Sequence, residues 1–127
     1  MNHRVVVTGL GLIAPNGNDV ESAWSSAKNG VSGIGPITAF DASEFSVRIA
    51  GEIKEFDITQ HVSAKDARKM DPFIHYGLGA SIEAIEDAGL VIDSTNAKRV
   101  GTIIGSGIGG LPGIEKGYQS FVTGGPR

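Results

Sequence analysis

Cysteine is absent from this 127-residue chain, so no disulfide framework, thiolate zinc site or cysteine nucleophile can exist within these residues. An excess of basic charge is also missing. The net charge is −3, which removes any general reason to expect nucleic acid or an anionic membrane as partner. No run approaches the ~18 apolar residues of a membrane span. Only Met1 to Arg4 precede the first apolar run, and Thr8 and Gly9 soon end it, so no signal-peptide core is expected. A reducing cytoplasm is the default setting. Glycine, by contrast, is plentiful at 19 residues, which implies sharp turns or close backbone packing. With 40% hydrophobic and 20% charged residues, the chain reads as one globular domain spanning residues 1–127.

Val5-Val-Val-Thr8 has the composition of a buried strand running on towards Ile13,. Pro15-Asn-Gly17 breaks it. Asn18 with Glu21 suggests a capping box, and Val20, Ala23, Trp24 and Ala27 follow helical spacing, so a helix is expected over 19–29,. Residues 31–46 read as loop. Val47 to Ile53 alternates like a half-exposed strand. Ser63 with Asp66 opens a short helix over 64–70, and Asp71-Pro72 restarts one that runs to Ala88 and stops at Gly89,. Gly77, Gly79, Ala80, Ser81 and Ala84 leave that helix with little bulk, so neighbouring backbones can approach it. Val100 to Ile104 reads as another buried strand, and Ile114, Tyr118, Phe121 and Val122 mark a last helix. The order is α/β, and only three strands are visible; the two buried-type ones imply a wider sheet with helices on both faces. A small self-contained α/β domain is the alternative.

Three motifs invite chemistry. Gly9-Leu-Gly-Leu-Ile-Ala14 formally matches a dinucleotide fingerprint. That motif needs a helix opening at its glycines, and here Pro15-Asn-Gly17 intervenes, which favours a structural turn. Gly105-Ser-Gly-Ile-Gly-Gly110 could cradle a phosphate but lacks the Gly-Lys-Ser/Thr ending of a P-loop; a tight turn, or a pocket-lining loop in which Ile108 is the bulky side chain, are the other readings. Lys65, Arg68 and Lys69 fall at i, i+3 and i+4 on one helix face, with Asp66 off to the side. On spacing alone that face is simply solvated. No nucleophile elbow surrounds Ser106, and His3, His61 and His75 lack metal-ligand spacing. No metal or other cofactor is expected.

Arg4-Val-Val-Val-Thr-Gly-Leu-Gly11, Asn16-Gly-Asn18, Ser32-Gly-Ile34, Arg68-Lys-Met-Asp71, Ile104-Gly-Ser-Gly-Ile-Gly-Gly110 and Gly124-Gly-Pro-Arg127 occur in this order. Together they resemble the type II β-ketoacyl-acyl-carrier-protein synthases. Ile108 favours type II over type I. The resemblance implies the early part of the first half of a thiolase fold, in which two βαβαβαββ halves stack as alternating helix and sheet layers. It implies decarboxylative Claisen condensation in fatty acid elongation, with a cysteine nucleophile and two histidines lying beyond Arg127. The piece by itself is therefore expected to be inactive. By the same resemblance Ile108 walls the acyl pocket. Lys65, Arg68, Lys69 and Arg127 would receive an acidic acyl carrier protein bearing a phosphopantetheine-linked acyl chain, and the full-length family forms homodimers. A dinucleotide-binding module, and a non-catalytic subunit like a polyketide chain-length partner, are the competing readings.

Overall fold

The computed structural model describes residues 3–126. Helix α1 spans Val20–Lys28. Its cap is Asp19, not Asn18: the Asp19 carboxylate accepts the Ser22 N–H at 2.7 Å. That oxygen stands three residues before the amide it satisfies, as capping requires. Asn18 instead donates its amide to the Lys54 carbonyl at 2.7 Å. Helix α2 is only Ala64–Ala67, shorter than the expected 64–70. Beyond Arg68 the chain tightens into i→i−3 turns, Lys69 N–H to Asp66 O at 2.9 Å and Met70 N–H to Ala67 O at 3.1 Å. Pro72 accounts for this, because a proline disfavours helical backbone at the residue before it.

Helix α3, Pro72–Asp87, begins on the expected proline. It ends where Gly89 takes a φ of 58° and the Gly89 and Leu90 amides return to Glu86 and Ile85 carbonyls at 2.9 and 3.1 Å,. Helix α4 is Leu111–Gly124. Short 3-10 turns occupy Ile58–Gln60 and Ala97–Arg99. No helix of the described residues is long and apolar enough to cross a membrane.

Strands depart furthest from expectation. Among the described residues the only sheet is antiparallel, β1 (Ile34–Pro36) on β2 (Ile49–Gly51), pairing Ile34 with Gly51 and Pro36 with Ile49. Strand β2 lies inside the expected 47–53, but β1 lies in the segment expected as loop. Val5–Thr8 and Val100–Ile104 join no ladder. Val5 is 95% exposed and Ile103 99%. Both segments have strand composition, but a strand also needs a neighbour to hydrogen-bond with.

The chain divides into two compact units. In the first, residues through Asp57 together with Gly79–Val91, Gly9 and Gly11 lie against the backbone of α3. A methyl on Gly9 would strike the Ala84 carbonyl and approach Ala88 N to 2.7 Å. One on Gly11 would strike the Ala80 carbonyl and approach Ala84 N to 2.8 Å. The expected close approach at Ala80 and Ala84 is therefore made. The Phe56 ring covers Gly79, with Cε2 3.1 Å from where a Cβ would stand. An open apolar groove of about 440 Å³ is lined by Leu10, Leu12, Asn16, Val20, Ala23, Trp24 and Ala27.

The second unit is 58–78 with 92–126. Ile58 and Ala67 are buried in it, His75 Nε2 meets the Ala67 carbonyl at 2.9 Å, and Ile104 Cγ2 approaches the Gly77 position at 3.8 Å.

Candidate functional site

The first glycine motif fails as an anion site for a visible reason. The Leu10 amide donates to Asp87 Oδ2 at 2.8 Å, and the Leu12 amide to Glu83 Oε2 at 2.8 Å. Glu83 Oε1 also accepts the Val20 amide at 2.7 Å, at the start of α1. Two carboxylates thus occupy the amides that a pyrophosphate would need, and their charge opposes one. The glycines serve packing on α3. Sequence reasoning missed Glu83 and Asp87; their i, i+4 spacing was the available signal.

The second glycine segment sits in the other unit, and its two ends differ. Residues 105–108 are exposed, while Gly109 and Gly110 are half-buried. Gly109 has a φ of 73°, a left-handed geometry that suits glycine. The Phe73 ring backs it, with ring carbons 3.2–3.5 Å from where a Cβ would stand. The Asp71 carboxylate lies against both Gly110 and Gly113, 2.6 Å from the Cβ position of the latter. That acidic group beside the segment argues against the phosphate-cradle reading. Gly110 supplies no side-chain cap to α4, so Asp71 places a negative charge next to a helix start where such charge is favourable. Ile108 projects with 73% of its surface exposed, ahead of this anchored base.

The cationic stretch lies in the same unit. Ser63 Oγ accepts the Asp66 amide at 3.1 Å and donates to Asp66 Oδ2 at 2.7 Å. Asp66 in turn pairs with Lys69 Nζ at 2.9 Å. These hydrogen bonds, Ser63's first and Lys69's second, hold the Asp66 carboxyl below its ordinary value. Asp66 therefore does not stand aside, as its spacing suggested, but engages one of the cations. Lys65, Arg68 and Lys69 are all exposed. They do not share one regular helix face, since α2 ends at Ala67 and Arg68 is its C-cap. Arg127 lies outside the described residues. His75 is a hydrogen-bonded packing residue, and among the described residues no cluster of His, Cys, Asp or Glu could hold a metal ion.

The chain matches the family model described as β-ketoacyl synthase, N-terminal domain, over residues 2–124. It is 56% identical over 124 residues to the 3-oxoacyl-[acyl-carrier-protein] synthase 2 of Vibrio harveyi, covering 98% of this chain and 30% of that protein. Against the enzyme of the same name from Coxiella burnetii the identity is 49%, with the same coverage. The chain therefore spans about 30% of the length of the curated relatives it matches. Among solved structures, the ishigamide ketosynthase/chain length factor superposes with a TM-score of 0.72 at 28% identity, over 94% of this chain and 30% of that one. A type II polyketide synthase acyl-carrier protein in complex with its ketosynthase, bound to the hexaketide, gives 0.73 at 28% identity with the same coverage.

Proposed function

This chain belongs to the β-ketoacyl synthase N-terminal-domain family, and on that premise we propose that it forms the N-terminal portion of a thiolase-fold 3-oxoacyl-acyl-carrier-protein synthase. The observation that carries this reading is the family match along residues 2–124, joined to high identity with relatives named for that activity. The reaction moves an acyl chain from its carrier thioester to an enzyme cysteine, releasing the carrier thiol. Malonyl-carrier protein then loses CO₂, and the resulting enolate carbon attacks the acyl-enzyme. A carbon–carbon bond forms and the cysteine thiolate leaves. Such chemistry needs an activated thiolate and an oxyanion hole, with two histidines stabilising the enolate.

This chain has no cysteine, and its histidines do not match those two. The catalytic groups are supplied by residues outside it, and these residues alone do not condense acyl chains. Their role is to shape and to dock. Ile108 walls the acyl pocket near the cysteine. Lys65, Arg68 and Lys69, with Arg127, receive the acidic acyl carrier protein. The complete enzyme works in the cytoplasm as a homodimer. A non-catalytic chain-length subunit is the second reading, favoured by the ketosynthase/chain length factor among the structural relatives. The much higher identity to condensing synthases weighs against it, and a cysteine in the complete protein would exclude it.

Docking is tested in the complete enzyme with Lys65→Glu combined with Arg68→Glu. Each exposed cation contributes about 0.2–1 kcal/mol, and reversal adds repulsion. KM for carrier-bound substrate rises several-fold, while self-acylation by a small thioester is spared. Equal loss with both substrates refutes the docking role.

A further inference from the structure

Asp71 and Phe73, at the start of α3, lie against the end of the loop that bears Ile108. Asp71 presses its carboxylate on Gly110 and Gly113, and Phe73 lays its ring on Gly109. Neither glycine of the first pair tolerates a methyl without moving that carboxylate: on Gly110 a Cβ would collide with Asp71 Oδ2 and stand 2.6 Å from Cγ, and on Gly113 it would stand 2.6 Å from Oδ2 and 3.1 Å from Oδ1. Gly109, at a φ of 73°, bends the chain so that Ile108 stands exposed while the next two residues are covered. The remaining glycines of the loop, Gly105 and Gly107, meet nothing within 4 Å. Of the loop's glycines, only the last two thus lie close against distant residues.

Resting on the acyl-pocket role proposed for Ile108, we infer that Asp71, with Phe73, is a positioning residue for chain-length selection. It fixes the base of the Gly105–Gly110 loop, and therefore the depth at which Ile108 meets the acyl chain. Asp71 follows Arg68 and Lys69 by three and two residues. The cations that would hold the carrier protein and the residue that sets the pocket loop are consequently kept in register by one short turn. Asp71 needs no contact with substrate for this. Its shape and charge act through Gly110, Gly113 and the start of α4.

The test uses the full-length protein carrying this segment, as wild type, Asp71→Ala, Asp71→Asn, Phe73→Leu and Ile108→Ala. Hydrogen–deuterium exchange across residues 105–113 is read alongside kcat/KM on short and long acyl-carrier thioesters. Asp71→Ala is expected to raise exchange in 105–113 by about fivefold or more, since local opening follows the free energy of the lost restraint. It flattens the short-to-long ratio of kcat/KM by about threefold, less than the ~10-fold or more that a whole methylene makes in an apolar pocket. Asp71→Asn keeps the shape and restores most of both. Should Asp71→Ala fail to fold, Phe73→Leu carries the same expectation through Gly109.

Unchanged exchange in the folded variants overturns the inference, as does an equal fall in kcat/KM at every chain length. Raised exchange with a chain-length ratio unmoved in both Asp71→Ala and Ile108→Ala sinks the pocket role of Ile108 instead, and leaves Asp71 as the anchor of the loop.

Discussion

Removal of the Glu83 carboxylate is the sharpest test of how the first unit is held. One side chain accepts two backbone amides from separate parts of the chain, Leu12 at 2.8 Å and Val20 at 2.7 Å. Among the described residues Asp87, one turn later, accepts one amide, that of Leu10 at 2.8 Å; this bond is exposed, as is that to Leu12, while the bond from Val20 to Glu83 is part-buried. A hydrogen bond to a charged group contributes about 1.5–3 kcal/mol, and water partly replaces it where it can enter. Taking the low end for each amide, Glu83→Ala costs about 3 kcal/mol, and Asp87→Ala costs less. Glu83→Gln falls between wild type and Glu83→Ala, because an amide keeps one acceptor oxygen and turns its NH₂ towards the other donor. Urea unfolding measures this. Trp24, the sole tryptophan, lies on α1 and reports the element that Glu83 pins. With a slope of about 2 kcal/mol/M, the midpoint of Glu83→Ala falls by about 1.5 M. A loss below about 1 kcal/mol, or one no larger than that of Asp87→Ala, would mean the amides are satisfied as well by solvent and would refute the reasoning.

Glycine substitutions should split by environment. Gly11→Ala meets α3 backbone that cannot step aside, and loses about 1–3 kcal/mol by overpacking. Gly117→Ala in α4 meets nothing within 4 Å, and gains up to about 1 kcal/mol from helix propensity; thermal melts of the two variants should shift in opposite directions. The Glu52 carboxylate accepts the Thr38 hydroxyl at 2.7 Å and the Thr38 and Ala39 amides at 3.0 Å, and these bonds lower its pKa from the ordinary 4.5. A depressed carboxyl pKa means the stabilisation is present above the ordinary value and is lost as pH falls through the folded-state value. Amide exchange at Thr38 and Ala39 should therefore speed up in acid once the trivial pH dependence is removed, and should stay flat from pH 5 to 7 (about the range above that titration). Glu52→Gln should leave the exchange insensitive to acid.

Helices were legible because their signals are local. Ser63 three residues before Asp66, Pro72 at a helix start, and Gly89 at a helix end each act within a turn of the chain,. The one cap misread, Asn18 for Asp19, was an error of a single residue. Strands were legible only at β2, which falls inside the expected 47–53, because β-rich composition describes what fits a pleated surface, while a strand exists only beside a partner. Val5–Thr8 and Val100–Ile104 have the composition without the partner. Ile34–Pro36 has a partner, with two of its three residues glycine and proline. At the site, the cations, Ile108 and the glycine loop stood out in the sequence. Phe73 and Glu83 did not, and Asp71 stood out only as a helix start and in a motif, since their contacts are with neighbours dozens of residues away.

The exposed apolar segments bear on the proposed role more directly than any single motif. Large side chains at Val5, Val6, Val7, Ile103 and Ile104 face solvent, and the buried apolar residues among those described are only Ala23, Ala42, Ile58 and Ala67. Apolar burial is the main favourable term in folding, so four mostly small side chains leave most of that term unused. Open strand-like segments are also the edges on which further strands add. On the proposed condensing-enzyme reading, the same segments are expected to be sheet strands covered by helices on both faces. The hydrogen bonds from Glu83 and Asp87 then have a distinct purpose. They accept the amides of Leu10 and Leu12 just where the chain leaves Val5–Thr8, and on the same reading would fix the direction in which that segment enters a sheet.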